Sequence, residues 1–227
     1  MESTRSARPT ISVIRDRCSE EKLFEIGAMI EPTSVVYHGM FVRAEGVRPG
    51  DDVAVFGCGP IGLAAVALAR AAGAAAVIAV DTQAERRDLA RSCGAGLALD
   101  PAVDDIVGEV MHATRGRGAG TIVEASGAGR AVFPHIDRCL DFGAQVVVLG
   151  VDPRPAPIDL VAYQAKAARI YGSLGHLGGG FDAAIDLHAR GLIDMSAIVT
   201  GRVALEDGVA AIERTARRVD AKVLIIP

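Results

Sequence analysis

A short apolar run, residues 53–56, passes directly into Gly57-Cys58-Gly59-Pro60-Ile61-Gly62, and this junction constrains the fold more than any other stretch. The run reads as a buried strand. The six residues make a G-x-G-x-x-G turn, and an Ala/Leu-rich helix follows. A second apolar run, residues 76–80, ends on Asp81, 19 residues beyond Gly62. Each glycine has its own steric duty. Gly57 permits the tight exit from the strand, Gly59 lets a pyrophosphate approach the backbone, and Gly62 lets the helix pack close to the sheet. The helix start offers unpaired N–H groups and the positive end of its dipole to phosphates. Pro60 suits a first helical turn, where the donor it lacks would have no intrahelical partner. Asp81, followed by Thr82, stands where an acid takes both hydroxyls of an adenine ribose. A glycine turn alone says little. Strand, glycines, helix, strand and acid in this order point to a dinucleotide site.

The rest of the chain extends that pattern. Ser19 followed by Glu20 and Glu21 reads as a helix start, with a cap residue and acids suited to the dipole. Pro32 predicts a break near Glu31 and a new helix from Pro32, with Val35, Val36, Met40 and Phe41 on its inner face. After Asp81, helices are expected at 84–93, 103–114 and 130–141, and strands at 97–99, 120–125, 145–150 and 169–173. In the 103–114 helix the apolar face is Val103, Ile106, Val107 and Val110. Helices at 181–190 and 205–217 and a strand at 222–226 complete the chain. Strands separated by helices imply a parallel sheet with helices on both faces, doubly wound by right-handed crossovers. Ligands of such sheets sit outside the carboxyl ends of the strands. Ser126, then Leu149, Gly150 and Val151, then Ser173 and Leu174 fall at such ends and would line the ribose and nicotinamide half of a dinucleotide. The alternative for each is an ordinary strand-to-loop turn.

Several classes drop out. A net charge of −4 offers no footprint for nucleic acid or an anionic membrane. Cys18, Cys58, Cys93 and Cys139 make neither a disulfide framework nor a zinc ribbon, so a reducing cytoplasm is the simplest setting. Arg70 and Gly73 interrupt the apolar region from Pro60 to Val80, which argues against a membrane span. Residues 1–18, with Arg5 and Arg8, read as a flexible leader without the apolar stretch of a secretory signal. The expected organisation is this leader, a helical lead-in at 19–50, a dinucleotide domain at 51–176, and helices and a strand at 177–227.

The run Ile30-Glu31-Pro32, His38-Gly39, Arg48-Pro49-Gly50-Asp51 and the glycine turn resembles the medium-chain dehydrogenase/reductase family, in its sorbitol and threonine dehydrogenase-like branch. Glu124-Ala125-Ser126-Gly127, Val148-Leu149-Gly150, Gly172-Ser173 and Ile198-Val199-Thr200 continue the resemblance over residues 20–227. Three stretches are similar to cyclitol dehydrogenases of the scyllo-inosose type: 29–35, Val132-Phe133-Pro134-His135-Ile136, and Gly172-Ser173-Leu174-Gly175-His176. The resemblance implies a Rossmann sheet with a C-terminal remnant of a catalytic domain. It also implies an NAD-dependent oxidoreductase acting on a polyol, cyclitol or inosose. Asp81 would repel a 2′-phosphate, favouring NAD over NADP. Arg86 would sit by the adenine ribose, whereas Arg87 reads as a solvated charge.

The family places a zinc-bearing catalytic domain ahead of the cofactor domain, and the similar region here is preceded by only a short stretch. Of the family's metal-site residues Glu31 alone has a counterpart, and its alternative is a helix-boundary carboxylate. Zinc is doubtful on this reading, since a catalytic site needs three protein ligands. Of the histidines, His112, His135 and His188 read as structural or solvated, and His38 as packed. His176, in a glycine-rich loop beyond the nicotinamide-side strand, is the candidate general base, its alternative a loop histidine in water. The helix and strand at 205–226 would leave an apolar face uncovered, which predicts a homodimer or a partner chain. A non-catalytic NAD(H)-binding module, or a catalyst of internal redox such as epimerisation, are the competing functions.

Overall fold

The computed structural model describes residues 14, 18–176, 178–216 and 220–226. The leader up to residue 13, Leu177 and Arg217 therefore lie outside the described residues. In chain order the elements are α1 (Glu20–Tyr37), a π-helical segment (His38–Arg43), β1 (Asp52–Phe56), α2 (Pro60–Ala71) and β2 (Ala76–Val80). Then come α3 (Ala84–Ser92), β3 (Leu97–Leu99), α4 (Ile106–Ala113), β4 (Ala119–Glu124), α5 (Gly129–Ile136) and β5 (Leu140–Val148). The chain continues through α6 (Leu160–Lys166), β6 (Arg169–Gly172), α7 (Gly180–Ala189), β7 (Val199–Ala204), α8 (Gly208–Ala216) and β8 (Lys222–Ile226).

Six strands form one sheet in the order β3-β2-β1-β4-β5-β6, every pair parallel. This is the doubly wound Rossmann order, with the strand-order reversal between β1 and β4. The five residues of β1 are all buried, because helices cover both faces. One core layer joins α1 and α2 to the sheet through Met29, Val36, Leu63, Val66 and Val123. The opposite layer joins α4 and α5 through Ile106, Val110, Phe133 and Ile136. A separate two-stranded parallel sheet pairs β7 with β8.

The expected break at Glu31 does not occur. The helix α1 runs on through Pro32 to Tyr37. An interior proline costs about 3 kcal/mol in lost bonding and ring clash. The continuous buried face of Ile26, Met29, Ile30, Pro32, Thr33 and Val36 offsets that. Polar side chains also take up helix carbonyls near the proline: Thr33 donates to Met29 C=O at 2.7 Å and Ser34 to Glu31 C=O at 2.6 Å. The inner-face expectation holds for Val36 and Met40, which are buried, while Val35 and Phe41 are half-buried. Ser19 caps α1 as expected, accepting from the Lys22 N–H at 3.3 Å.

Other boundaries moved for local reasons. Helix α4 starts at Ile106, because Asp105 caps it by accepting from the Gly108 N–H at 3.1 Å. Val103 is left outside, 81 % exposed rather than on an inner face. Helix α5 stops at Ile136, and β5 begins at Leu140, where it already pairs with Ala119 ahead of a register shift. Helix α6 was not anticipated. Asp159 caps it by accepting from Val161 and Ala162.

Candidate functional site: a cleft at the strand-order switch

The cleft begins where β1 ends. Gly57 has φ +93° and donates its N–H to Val80 C=O at 2.8 Å. A Cβ at Gly57 would lie 2.5 Å from Ser126 Cα, so the first turn is wedged against the loop after β4. A Cβ at Gly62 would overlap the Gly57 carbonyl oxygen, so α2 docks this closely only with glycine there. Gly59 is different. A Cβ there would meet nothing nearer than Arg86 Nη1 at 4.0 Å. That opening lies at the N-cap of α2, with Pro60 at N1. The N–H groups of Ile61 and Gly62 have no intrahelical partner by position, and they supply donors for an anion.

Asp81 is locked onto this turn. Its Oδ2 accepts from the Cys58 N–H at 2.7 Å, and its Oδ1 accepts from the Gln83 N–H at 2.9 Å. Arg87 donates to Asp81 C=O at 2.8 Å and pairs with Asp100 at 3.0 Å. The Arg87 side chain is only 15 % exposed, so it is not the solvated charge the sequence suggested. Its helix start packs onto the ends of β2 and β3, and the guanidinium turns inward to reach both. Cys58 is fully buried, and burial pushes its thiol up to about 12, so it is an inert packing residue.

A cavity of about 450 Å³ opens here, lined by Gly57, Gly59, Asp81, Thr82, Arg86 and Ser126, with Pro101, Ile106, Val132 and His135 on its far wall. The size suits a small-molecule or cofactor pocket. His135 therefore stands in the cleft wall, where its position on a helix alone does not place it. Arg86 lies alongside, its Nε buried without a partner. The remaining strand-end residues, Leu149, Gly150, Val151, Ser173 and Leu174, follow β5 and β6 and do not line this cavity. Leu149 is buried, Val151 and Leu174 are exposed, and Ser173 donates its N–H to Val148 C=O at 3.1 Å while its Oγ is buried without a partner.

His176 and Glu31, singled out for unrelated reasons, come together. His176 Nδ1 lies 3.5 Å from Glu31 Oε1, and the imidazole meets the Phe181 ring edge-on at 4.5 Å. The other histidines divide as follows. His38 is buried, and its Nε2 accepts from Arg43 Nε at 3.2 Å. His188 is buried with Nδ1 2.8 Å from Ala184 C=O, and burial lowers its pKa. His112 is exposed.

Residues 60–190 match the model of the zinc-binding dehydrogenases. The chain belongs to that family. It is 39 % identical over 192 residues to scyllo-inosose 3-dehydrogenase of Thermotoga maritima, covering 82 % of this chain and 48 % of that protein. A solved Thermotoga maritima structure assigned to the alcohol dehydrogenases superposes with a TM-score of 0.91 at 35 % identity, over 96 % of this chain and 56 % of that one. A zinc-binding dehydrogenase structure from Sinorhizobium meliloti 1021, bound to NADP, gives 0.80 at 32 % identity over 89 % of this chain and 59 % of that one. The chain thus spans about half the length of the relatives it matches.

Among the described residues the chemistry suits a dinucleotide and gathers no full metal ligand set. The open backbone at Gly59, the orphaned Arg86 Nε and the locked Asp81 could hold phosphates and a ribose. For zinc, no three His, Cys, Asp or Glu side chains gather as a ligand set among the described residues. Glu31 and His176 stand as a pair, short of the three ligands zinc requires. No described helix is long and apolar enough to cross a membrane.

Proposed function

We propose that the chain binds NAD in the strand-end cleft and serves hydride transfer to or from a secondary alcohol or ketone of the polyol, cyclitol or inosose kind. The observation that carries this is the open backbone at Gly59 beside the fixed carboxylate of Asp81. Bound NAD would supply the hydride acceptor. Gly59, Ile61 and Gly62 would hold the pyrophosphate with backbone N–H groups, with Gly57, Cys58 and Pro60 shaping the turn around it. Asp81 would orient the adenine ribose, with Thr82 and Arg86 beside it. An anion at Asp81 favours NAD over NADP by repelling a 2′-phosphate. Ser126, Leu149, Gly150, Val151, Ser173 and Leu174 would shape the nicotinamide side. His176, its Nδ1 turned to Glu31, would take the hydroxyl proton at Nε2. On this reading residues 51–176 are the cofactor domain, and 177–227 complete it.

The resemblance to scyllo-inosose 3-dehydrogenase supports the substrate class. Titration with NAD and NADP, then assays on polyols and inososes with and without zinc, test the reading. No turnover on any of them would remove the catalytic part. A second reading is a non-catalytic NAD(H) module or subunit that works with a zinc-bearing partner domain. That no third metal ligand joins Glu31 and His176 among the described residues, and the half-length coverage, support it. NAD binding without alcohol oxidation would select it. Either reading accommodates a homodimer or a partner chain over α8 and β8. Leu205, Val209 and Ile212 are exposed there beside an apolar groove of about 370 Å³. A monomeric mass in sedimentation at high concentration would count against that assembly. The setting we favour is the cytoplasm.

A further inference from the structure

We infer that Glu124 is a positioning residue of the cleft, its carboxylate fixing the Ser126 hydroxyl as a hydrogen-bond acceptor toward the cofactor. This rests on the dinucleotide reading above. Glu124 closes β4 and is 2 % exposed. Its Oε1 accepts from the Ser126 N–H at 2.8 Å and from the Ser126 hydroxyl at 2.5 Å. The Ser126 oxygen in turn accepts from the Ala128 N–H at 3.0 Å. A serine hydroxyl has one donor and two lone pairs. The donor is spent on Glu124 and one lone pair on Ala128. What Ser126 offers the cleft it lines is one lone pair, which suits a ribose hydroxyl and cannot serve a phosphate oxygen.

The same residue ties the neighbouring strands. Glu124 C=O accepts from both the Leu149 and Gly150 N–H groups, at 2.8 and 2.9 Å. The next residue, Ala125, donates its N–H to Phe56 C=O at 2.8 Å. A Cβ at Gly150 would collide with Glu124 Oε2 and lie 2.6 Å from the Gly127 nitrogen, so Gly150 gives this carboxylate its room. The main chain at Glu124 and Ala125 therefore ties the ends of β1, β4 and β5, and the Glu124 carboxylate sits against Ser126 and Gly150 beside them.

Calorimetric titration with NAD tests this on the full chain and four variants: E124A, E124Q, S126A and E124A/S126A. E124A should weaken NAD about tenfold, as loss of a hydrogen bond to a charged group does. E124Q keeps the Oε1 acceptor and should stay within about threefold of wild type. The double variant should bind about as E124A does, because Glu124 acts through Ser126. If E124A does not fold, E124D carries the test. It keeps the charge, withdraws the oxygen from Ser126, and should weaken NAD by a similar factor. Wild-type affinity in E124A or E124D overturns the inference. So do single losses that multiply in the double variant, which a merely structural role would produce. If wild type takes up no NAD, the dinucleotide reading itself fails and this inference falls with it.

Discussion

From Gly57 to Asp81 the cleft is shaped by backbone, whereas the strand-end stretch from Leu149 to His176, outside the cavity, is shaped largely by side chains. On the first side every fixed point is steric or a main-chain bond: Gly62 against the Gly57 carbonyl, Gly57 against Ser126, Asp81 on two N–H groups. On the second side Val151 and Leu174 are exposed, Ser173 Oγ is unpartnered, and His176 and Glu31 are both partly open to solvent. The first side holds its shape without a ligand. The second leaves its polar groups for something to complete.

Substitutions on the two sides should separate accordingly. The largest effect belongs to Gly62→Ala. Its Cβ would drive α2 off the Gly57 carbonyl, costing about 3 kcal/mol in denaturant unfolding and abolishing NAD binding. Asp81→Ala should come next, weakening NAD at least about tenfold and narrowing the NAD-over-NADP preference in paired titrations. Arg87→Ala should destabilise by about 1–3 kcal/mol in chemical unfolding, since it strands Asp100 and the Asp81 carbonyl.

Away from both sides, His188 in α7 gives a pH test. Burial lowers its folded pKa below the unfolded value of about 6.5. As pH falls through that window the unfolded chain takes a proton and the folded one does not. Stability is therefore fully present above about 6.5 and declines below it, by at most about 1.4 kcal/mol per pH unit. His188→Gln should flatten that slope in unfolding measured across pH 5–8. The smallest effect on stability is expected of His176→Gln, within about 0.5 kcal/mol, while any dehydrogenase turnover should fall sharply. A large stability loss there would erase the contrast between the two sides.

The backbone-built side was legible in the sequence because glycine positions report sterics directly. Gly57, Gly59, Gly62 and Asp81 each stand where their spacing placed them, and the strand order follows from alternation and crossover handedness. The side-chain-built side was harder to read. Glu124 was legible as part of the run Glu124-Ala125-Ser126-Gly127, with nothing to say that its side chain folds back onto Ser126. Arg87 was misread, and the place of His135 in the cleft wall was not legible, because a charge or a histidine on a helix does not reveal which neighbour it faces. Pro32 misled for the converse reason: a local helix breaker was overridden by burial on both sides of it. The meeting of His176 with Glu31 is a tertiary fact, since 145 residues of chain separate them.

The central claim is that a dinucleotide lies over Gly59 with its adenosine sugar on Asp81. Isothermal calorimetry of the wild-type chain with NAD and NADH tests it most directly. One site per chain, saturable and weakened at least about tenfold in Asp81→Ala, is the result we predict. No heat and no shift of the thermal midpoint with either nucleotide would contradict it.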